Sequence, residues 1–259
     1  INGTISAAGS SANRSVLRSV ADAAVTWELT LGSSGSSILD DKVDVKYSNA
    51  SSGLNVWALG SVDSTNNTNW NFATYPNFTW TGASDNNWNN TGNWVGGAVP
   101  GSTDIATFVG TYNVNCNINA NVNVKGINVV DTYTGTITQG AFTIAVGVSN
   151  LVFSGGTFVG SASNITTTGS FRQEGGTFTS TSGTLTTAGF TLDGGVYNAN
   201  GGIFSGTTYK QNGGTYNGST NTFTLSSTFI QSGGTYTKPT NTFTGTSIAI
   251  SGGVFNGTS

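Results

Sequence analysis

Apolar and polar positions in this chain follow a long repeat. From Leu151 onward a pair of glycines is followed two residues later by an aromatic, in "LVFSGGTFVG", "FRQEGGTFTS", "FTLDGGVYNA", "YKQNGGTYNG", "FIQSGGTYTK" and "IAISGGVFNG". The second glycines are Gly156, Gly176, Gly195, Gly214, Gly234 and Gly253. Their near-constant spacing, roughly 20 residues, lies in the range of solenoid repeats. Three further columns align on them. Leu151, Phe171, Phe190, Tyr209, Phe229 and Ile248 stand five residues before, and Phe158, Phe178, Tyr197, Tyr216, Tyr236 and Phe255 two residues after. Ile165, Leu185, Phe204, Phe223 and Phe243 stand nine after. A unit this short cannot bury its own apolar side, but stacked copies can, each column becoming a ladder of side chains. The expected fold is all-β, a parallel β-helix (β-solenoid) with rungs of about 19–20 residues. The glycine pair is expected at the corner between two strand faces, where positive φ or close backbone approach excludes a Cβ.

Upstream the pattern changes twice. In "YNVNCNINANVNV", Val114, Cys116, Ile118, Ala120, Val122 and Val124 alternate with asparagines, which predicts strands with one buried face. Before it, "WTGASDNNWNNTGNW" brings Trp80, Trp88 and Trp94 together among turn residues, and these are read as a cap over the first rung or as a surface that stacks on sugars. Residues from Thr26 to Phe78 contain short alternating runs such as "DVKY" and "LNVWAL", expected as strands of a small β-domain. Val16, Leu17, Val20, Ala21, Ala24 and Val25 fall at helical spacing behind Ser11 or Asn13, and predict one short helix near residues 13–28. The expected parts are therefore 1–78, a β-rich region with that helix; 79–150, the Trp-rich cap and first rungs; and 151–259, the regular solenoid.

Charge narrows the partners. Only 7% of residues are charged against about 25% in ordinary domains, the net charge is −3, and there is no histidine. Nucleic acid is excluded as an expected partner because phosphate binding needs clustered Lys and Arg. Aromatics at 11% argue against disorder. No apolar run is long enough for a membrane-spanning helix. Cys116 is the single cysteine and lies on the apolar phase, which makes it a buried small hydrophobe. The chain starts at Ile1 and stops inside a repeat, which reads as a processed product or a piece of a longer protein.

In their tryptophan motif, "PGSTDIATF", alternating strands and "SGGTF" repeats, residues 78 to 259 resemble secreted bacterial parallel β-helix surface proteins, the passenger regions of autotransporter-like adhesins. That resemblance implies an extracellular or cell-surface location and a role as adhesin or structural component. The segment from Ile1 to Asn77 carries no such resemblance.

Chemistry is sparse. Glu174 and Asp193 sit in adjacent rungs, each two residues before its second glycine, at roughly 4.8 Å if the rungs stack. That is near the carboxylate separation of retaining glycosidases. Asn212, Ser232 and Ser251 continue the column, so a polar corner is the preferred reading and no catalytic residue is assigned. No cofactor and no metal is expected: Asp40, Asp41 and Asp44 are interleaved with Lys42 and Lys46. Residue triplets 164–166, 184–186, 203–205, 222–224 and 242–244 give a broken Thr-x-Thr array, a weak match to an ice-binding face. Asn2, Asn49, Asn77, Asn164 and Asn217 are glycosylation candidates, with Asn13, Asn66, Asn89 and Asn256 also in sequons. Trp57 and Trp70 join the sugar-stacking candidates. The expected function is structural, a self-assembling filament or sheath subunit stacking head to tail with copies of itself. The alternative is an adhesin that binds carbohydrate, and a polysaccharide-active enzyme ranks third.

Overall fold

A computed structural model of the chain describes residues 14–19, 25–30, 38–39, 43–53, 56–58, 61–72 and 78–257, with backbone alone at 38, 39 and 57. Two compact units divide at Asn77 and Phe78. The second is the predicted all-β parallel solenoid. Its strands form an eight-stranded and a twelve-stranded sheet, and every pairing between named strands is parallel.

Each coil of the regular region has the same path. A strand such as Phe171 to Gln173 leads into the glycine pair, a second strand such as Thr177–Thr179 follows, and a third leg returns toward the next coil. In the middle coils the third leg and the next first leg fuse into nine-residue strands, Ile165–Gln173, Thr184–Leu192 and Ile203–Gln211. Between the first two of these the register shifts between Thr167 and Ser170, so the strand bends around the coil there. The inward threonines at the bend are satisfied in pairs: Thr167 Oγ1 donates to Thr187 Oγ1 at 2.8 Å, and Thr187 Oγ1 is also within 2.9 Å of the Gly189 carbonyl.

The three columns are the core. Phe171↔Phe190, Phe178↔Tyr197 and Phe204↔Phe223 are paired positions in neighbouring coils. Rings stack along the column after the glycines: Phe158 on Phe178 at 4.4 Å, Tyr197 on Tyr216 at 5.0 Å, Tyr216 on Tyr236 at 4.5 Å. This stacking is what the repeat encodes, because each aromatic faces its own image one coil away. In the last described coil Ile248 is 54% exposed, although its equivalents from Leu151 to Phe229 are buried, while Phe243 and Phe255 are partly buried. Cys116 is buried on the apolar phase as expected, and burial alone pushes its thiol pKa up.

The predicted corner is also found. The six second glycines all have positive φ, from 63° at Gly176 to 82° at Gly253. A Cβ on Gly176 would stand 2.6 Å from the Gly156 carbonyl oxygen, with no flexible atom to yield. Glycine is therefore required twice over, by conformation and by the coil below.

The predicted helix is corrected. Ser15–Leu17 is a strand that pairs in parallel with Val43–Val45, and Trp27–Glu28 is a strand paired with Ser48–Asn49. Val20, Ala21 and Ala24 lie outside the described residues. Helical spacing on this short stretch lost to a parallel partner distant in sequence, since the strand packs the partly buried Leu17 against Val43, Val45 and Ala58. The other strands described before Asn77 are also paired in parallel, Val43–Val45 with Val62–Asp63 and Ile38–Leu39 with Val56–Ala58. Trp70 packs on both small cores of this unit and stacks on Phe72 at 5.8 Å.

Candidate functional site

Among the described residues four sets of side chains stand out. The first is the tryptophan segment. Trp80, Trp88 and Trp94 are at most 3% exposed and meet edge to face, Trp88 and Trp94 at 4.7 Å and Trp80 and Trp94 at 5.1 Å. Two of the indole N–H groups find partners inside: Trp80 Nε1 donates to the Val114 carbonyl at 3.0 Å, and Trp94 Nε1 to the Trp88 carbonyl at 2.8 Å. The segment also covers the first strands, Trp80 N donating to the Thr107 carbonyl and Trp88 N to the Asn117 carbonyl. These indoles close the edge of the solenoid and leave no ring face for a sugar. Trp70 is half-buried, and the Trp57 side chain lies outside the described residues.

Asp85 ties the tryptophan segment into a knot. Its carboxylate accepts from the Asn87 backbone N–H at 2.7 Å, from Asn93 Nδ2 at 2.7 Å and from Asn90 Nδ2 at 3.0 Å. Those donors hold its pKa down to about 2, the Asn87 backbone contributing most. Sequence reading passed over Asp85; the signal was an aspartate among asparagines inside a tryptophan motif.

The second set is the corner column that contains Glu174 and Asp193. The structure brings them together with a cation between them. Arg172 Nε is 3.0 Å from Glu174 Oε1 and 2.8 Å from Asp193 Oδ2. Ser154 Oγ donates to Glu174 at 2.7 Å, Asn212 Nδ2 to Asp193 at 2.6 Å, and Ser232 Oγ to Asn212 at 2.9 Å. The result is a polar ladder running from Ser154 to Ser232, in which both carboxylates are engaged by the ion pair and by neighbours.

The third set escaped the sequence reading. Gln173, Gln211 and Gln231 stand three residues before the second glycine, point inward and are fully buried. Each carboxamide N–H group bridges to the following coil: Gln173 Nε2 to the Val196 carbonyl at 2.9 Å, Gln211 to Thr235 at 3.0 Å, Gln231 to Val254 at 2.9 Å. Each also leans on its own glycine corner. The signal in the sequence is a glutamine that recurs at a fixed offset from the glycine pair.

The fourth set is asparagine. Outward Asn115, Asn121, Asn150 and Asn164 accept backbone N–H groups of the next coil, from Thr136, Thr143, Ser170 and Thr184 at 2.8–3.1 Å. Among the glycosylation candidates Asn164 and Asn217 are exposed. Asn217 Nδ2 donates to Asn198, and Asn49 Nδ2 donates to Glu28. Asn2, Asn13 and Asn77 lie outside the described residues, as do Asp40, Asp41 and Lys42. Among the described residues no group of three or more His, Cys, Asp or Glu could hold a metal, and no helix is long and apolar enough to cross a membrane.

These features define the class as a parallel β-solenoid. Comparison with protein-family models, curated proteins and solved structures returns no match.

Proposed function

We propose that the protein is a structural solenoid of the cell exterior, a stiff spacer that associates with copies of itself into filaments or a sheath. The observation that carries this reading is where the side chains go. Aromatics, glutamines and corner carboxylates are all engaged in holding one coil to the next, while the outer faces are Thr- and Asn-rich with few charges. Such a surface suits a protein that works by shape and stiffness.

Negative-stain microscopy of the purified full chain tests this. The expected image is rods several subunits long. Uniformly single particles at every concentration would refute self-assembly.

A further inference from the structure

The inside of the solenoid changes along its length. Parallel pairing keeps the legs in register through the first coils, so the backbone outline repeats while the side chains that fill it differ. On the leg before the glycine corner the paired inward positions run Ala106, Ile127, Leu151 and then Phe171. On the leg after it they run Cys116, Ile137 and then Phe158. On the third leg they run Val122, Ile144, Ile165, Leu185 and then Phe204. All three columns begin small or aliphatic and become aromatic. The coils that carry Ile127, Ile137 and Ile144 therefore have the outline of the later coils and less to fill it.

A hollow lies in those coils. Trp88 and Phe108 wall it on the side of the tryptophan segment and Phe158 and Phe178 on the side of the regular coils, with Ile144 and Leu151 between. Every side chain that lines it is buried, and the wall presents no polar atom. Two of the inward side chains keep a trace of accessible surface, Leu151 at 5% and Phe158 at 6%, where Phe171 and Tyr216 in the same columns have none. The hollow leaves about 20 Å³ to the centre of a water-sized sphere. Its whole volume therefore exceeds the ~10–15 Å³ that one water takes up. Water finds nothing to bond to there, and an apolar hollow of this kind stays dry. The atoms around it forgo dispersion contacts on that side.

We infer that this hollow is a binding site for one small apolar molecule, of the class of xenon, short alkanes and halocarbons. The site is separate from the end-to-end association proposed above and needs no second copy. A ligand of this class restores the missing dispersion contacts and strips water from no polar group of the protein. Charged and hydrogen-bonding molecules are excluded, because no wall atom can pair with them. Size is limited at both ends. Phe158 and Phe178 are stacked at 4.4 Å, and the ring centroids of Trp88 and Phe108 stand 6.2 Å apart. Local opening of the coils admits the ligand.

The test is xenon NMR of the full chain as the xenon concentration is varied, with thermal unfolding of the same samples followed by circular dichroism. Two variants fill the hollow with the ring that the repeat places one coil further along the same column. They are Leu151→Phe, which copies Phe171, and Ile137→Phe, which copies Phe158. Leu192→Phe puts the same ring at a buried position that does not line the hollow. The wild type is expected to shift the xenon resonance in a saturable way, one xenon per chain, and to unfold at a higher temperature under xenon. Leu151→Phe and Ile137→Phe should each weaken xenon binding at least about tenfold, because the ring occupies the ligand's place. Both should unfold at or above the wild-type midpoint. Leu192→Phe should keep the xenon response and unfold at a lower temperature, since it overpacks a filled core. A wild type without a saturable shift overturns the inference. An equal shift in every variant marks contact with the outer surface alone and overturns it too. Leu151→Phe and Ile137→Phe chains that fail to fold, or that lose as much stability as Leu192→Phe, show that the first coils hold no such hollow.

Discussion

Replacing Gly176 with alanine isolates what the glycine corner does. Two penalties meet there. With φ at 63°, an L-residue pays the left-handed conformational cost of about 1–2 kcal/mol. The added Cβ also lies 2.6 Å from the Gly156 carbonyl oxygen and 2.8 Å from the Gly155 carbonyl carbon, well inside contact distance. That Gly156 oxygen accepts the ladder bond from Thr177 N at 2.9 Å, so the coil cannot separate without stretching it. Forced overpacking adds about 1–3 kcal/mol, and a weakened hydrogen bond about 1 kcal/mol. The total expected for Gly176→Ala is about 4 kcal/mol. Gly97 provides the control: its φ is 69°, but a Cβ there meets nothing within 4 Å. Gly97→Ala should lose only the conformational part, about 1–2 kcal/mol. Urea unfolding followed by far-ultraviolet circular dichroism measures both. If Gly176→Ala loses no more than Gly97→Ala, the corner is held by conformation alone and the stacked-backbone argument fails.

Three further outcomes are expected. Asp85 has its folded pKa depressed to about 2, below the unfolded value of 3.8, so its contribution is present above pH 4 and fades as pH falls toward 2. Thermal midpoints between pH 5 and 2 should fall less steeply in Asp85→Asn than in the wild type, and parallel curves would show that the knot does not matter. Arg172→Ala leaves Glu174 and Asp193, with side chains 11% and 23% exposed, facing each other without a cation. It should cost about 1–3 kcal/mol in urea unfolding, with most of the loss recovered in the triple variant that also carries Glu174→Gln and Asp193→Asn. Tyr197, Tyr209, Tyr216 and Tyr236 have pKa values raised mainly by burial. Their stabilising effect is complete below the ordinary value of about 10 and is lost as pH rises beyond it. Phenolate absorbance should therefore appear together with loss of the circular dichroism signal, and a gradual titration of four tyrosines in the folded state would contradict the buried stack.

The repeat, the inward columns and the glycine corners could be read from residue order because each is enforced within one coil and then copied. A Phe or Tyr two residues past a glycine pair has one side to go to, and the copy one coil away supplies its partner. The N-terminal stretch shows the limit of this. Val16, Leu17 and Val20 fit a helix by spacing, yet Ser15–Leu17 pairs with Val43–Val45, and nothing in the chain near Val16 announces a partner so far along it. The polar groups show the same limit. Glutamine at 173, 211 and 231 and asparagine at 115, 121, 150 and 164 bond to backbone of the next coil, and residue order alone announces none of these bonds. Likewise Glu174 and Asp193 were placed in neighbouring coils by counting residues, but Arg172 between them is a fact of side-chain direction. Hydrophobic burial is a property of each residue and its period, so the sequence by itself determined the solenoid and its core. A hydrogen bond or an ion pair also needs the distance and direction of an atom a full coil away along the chain, and only the tertiary structure decided those.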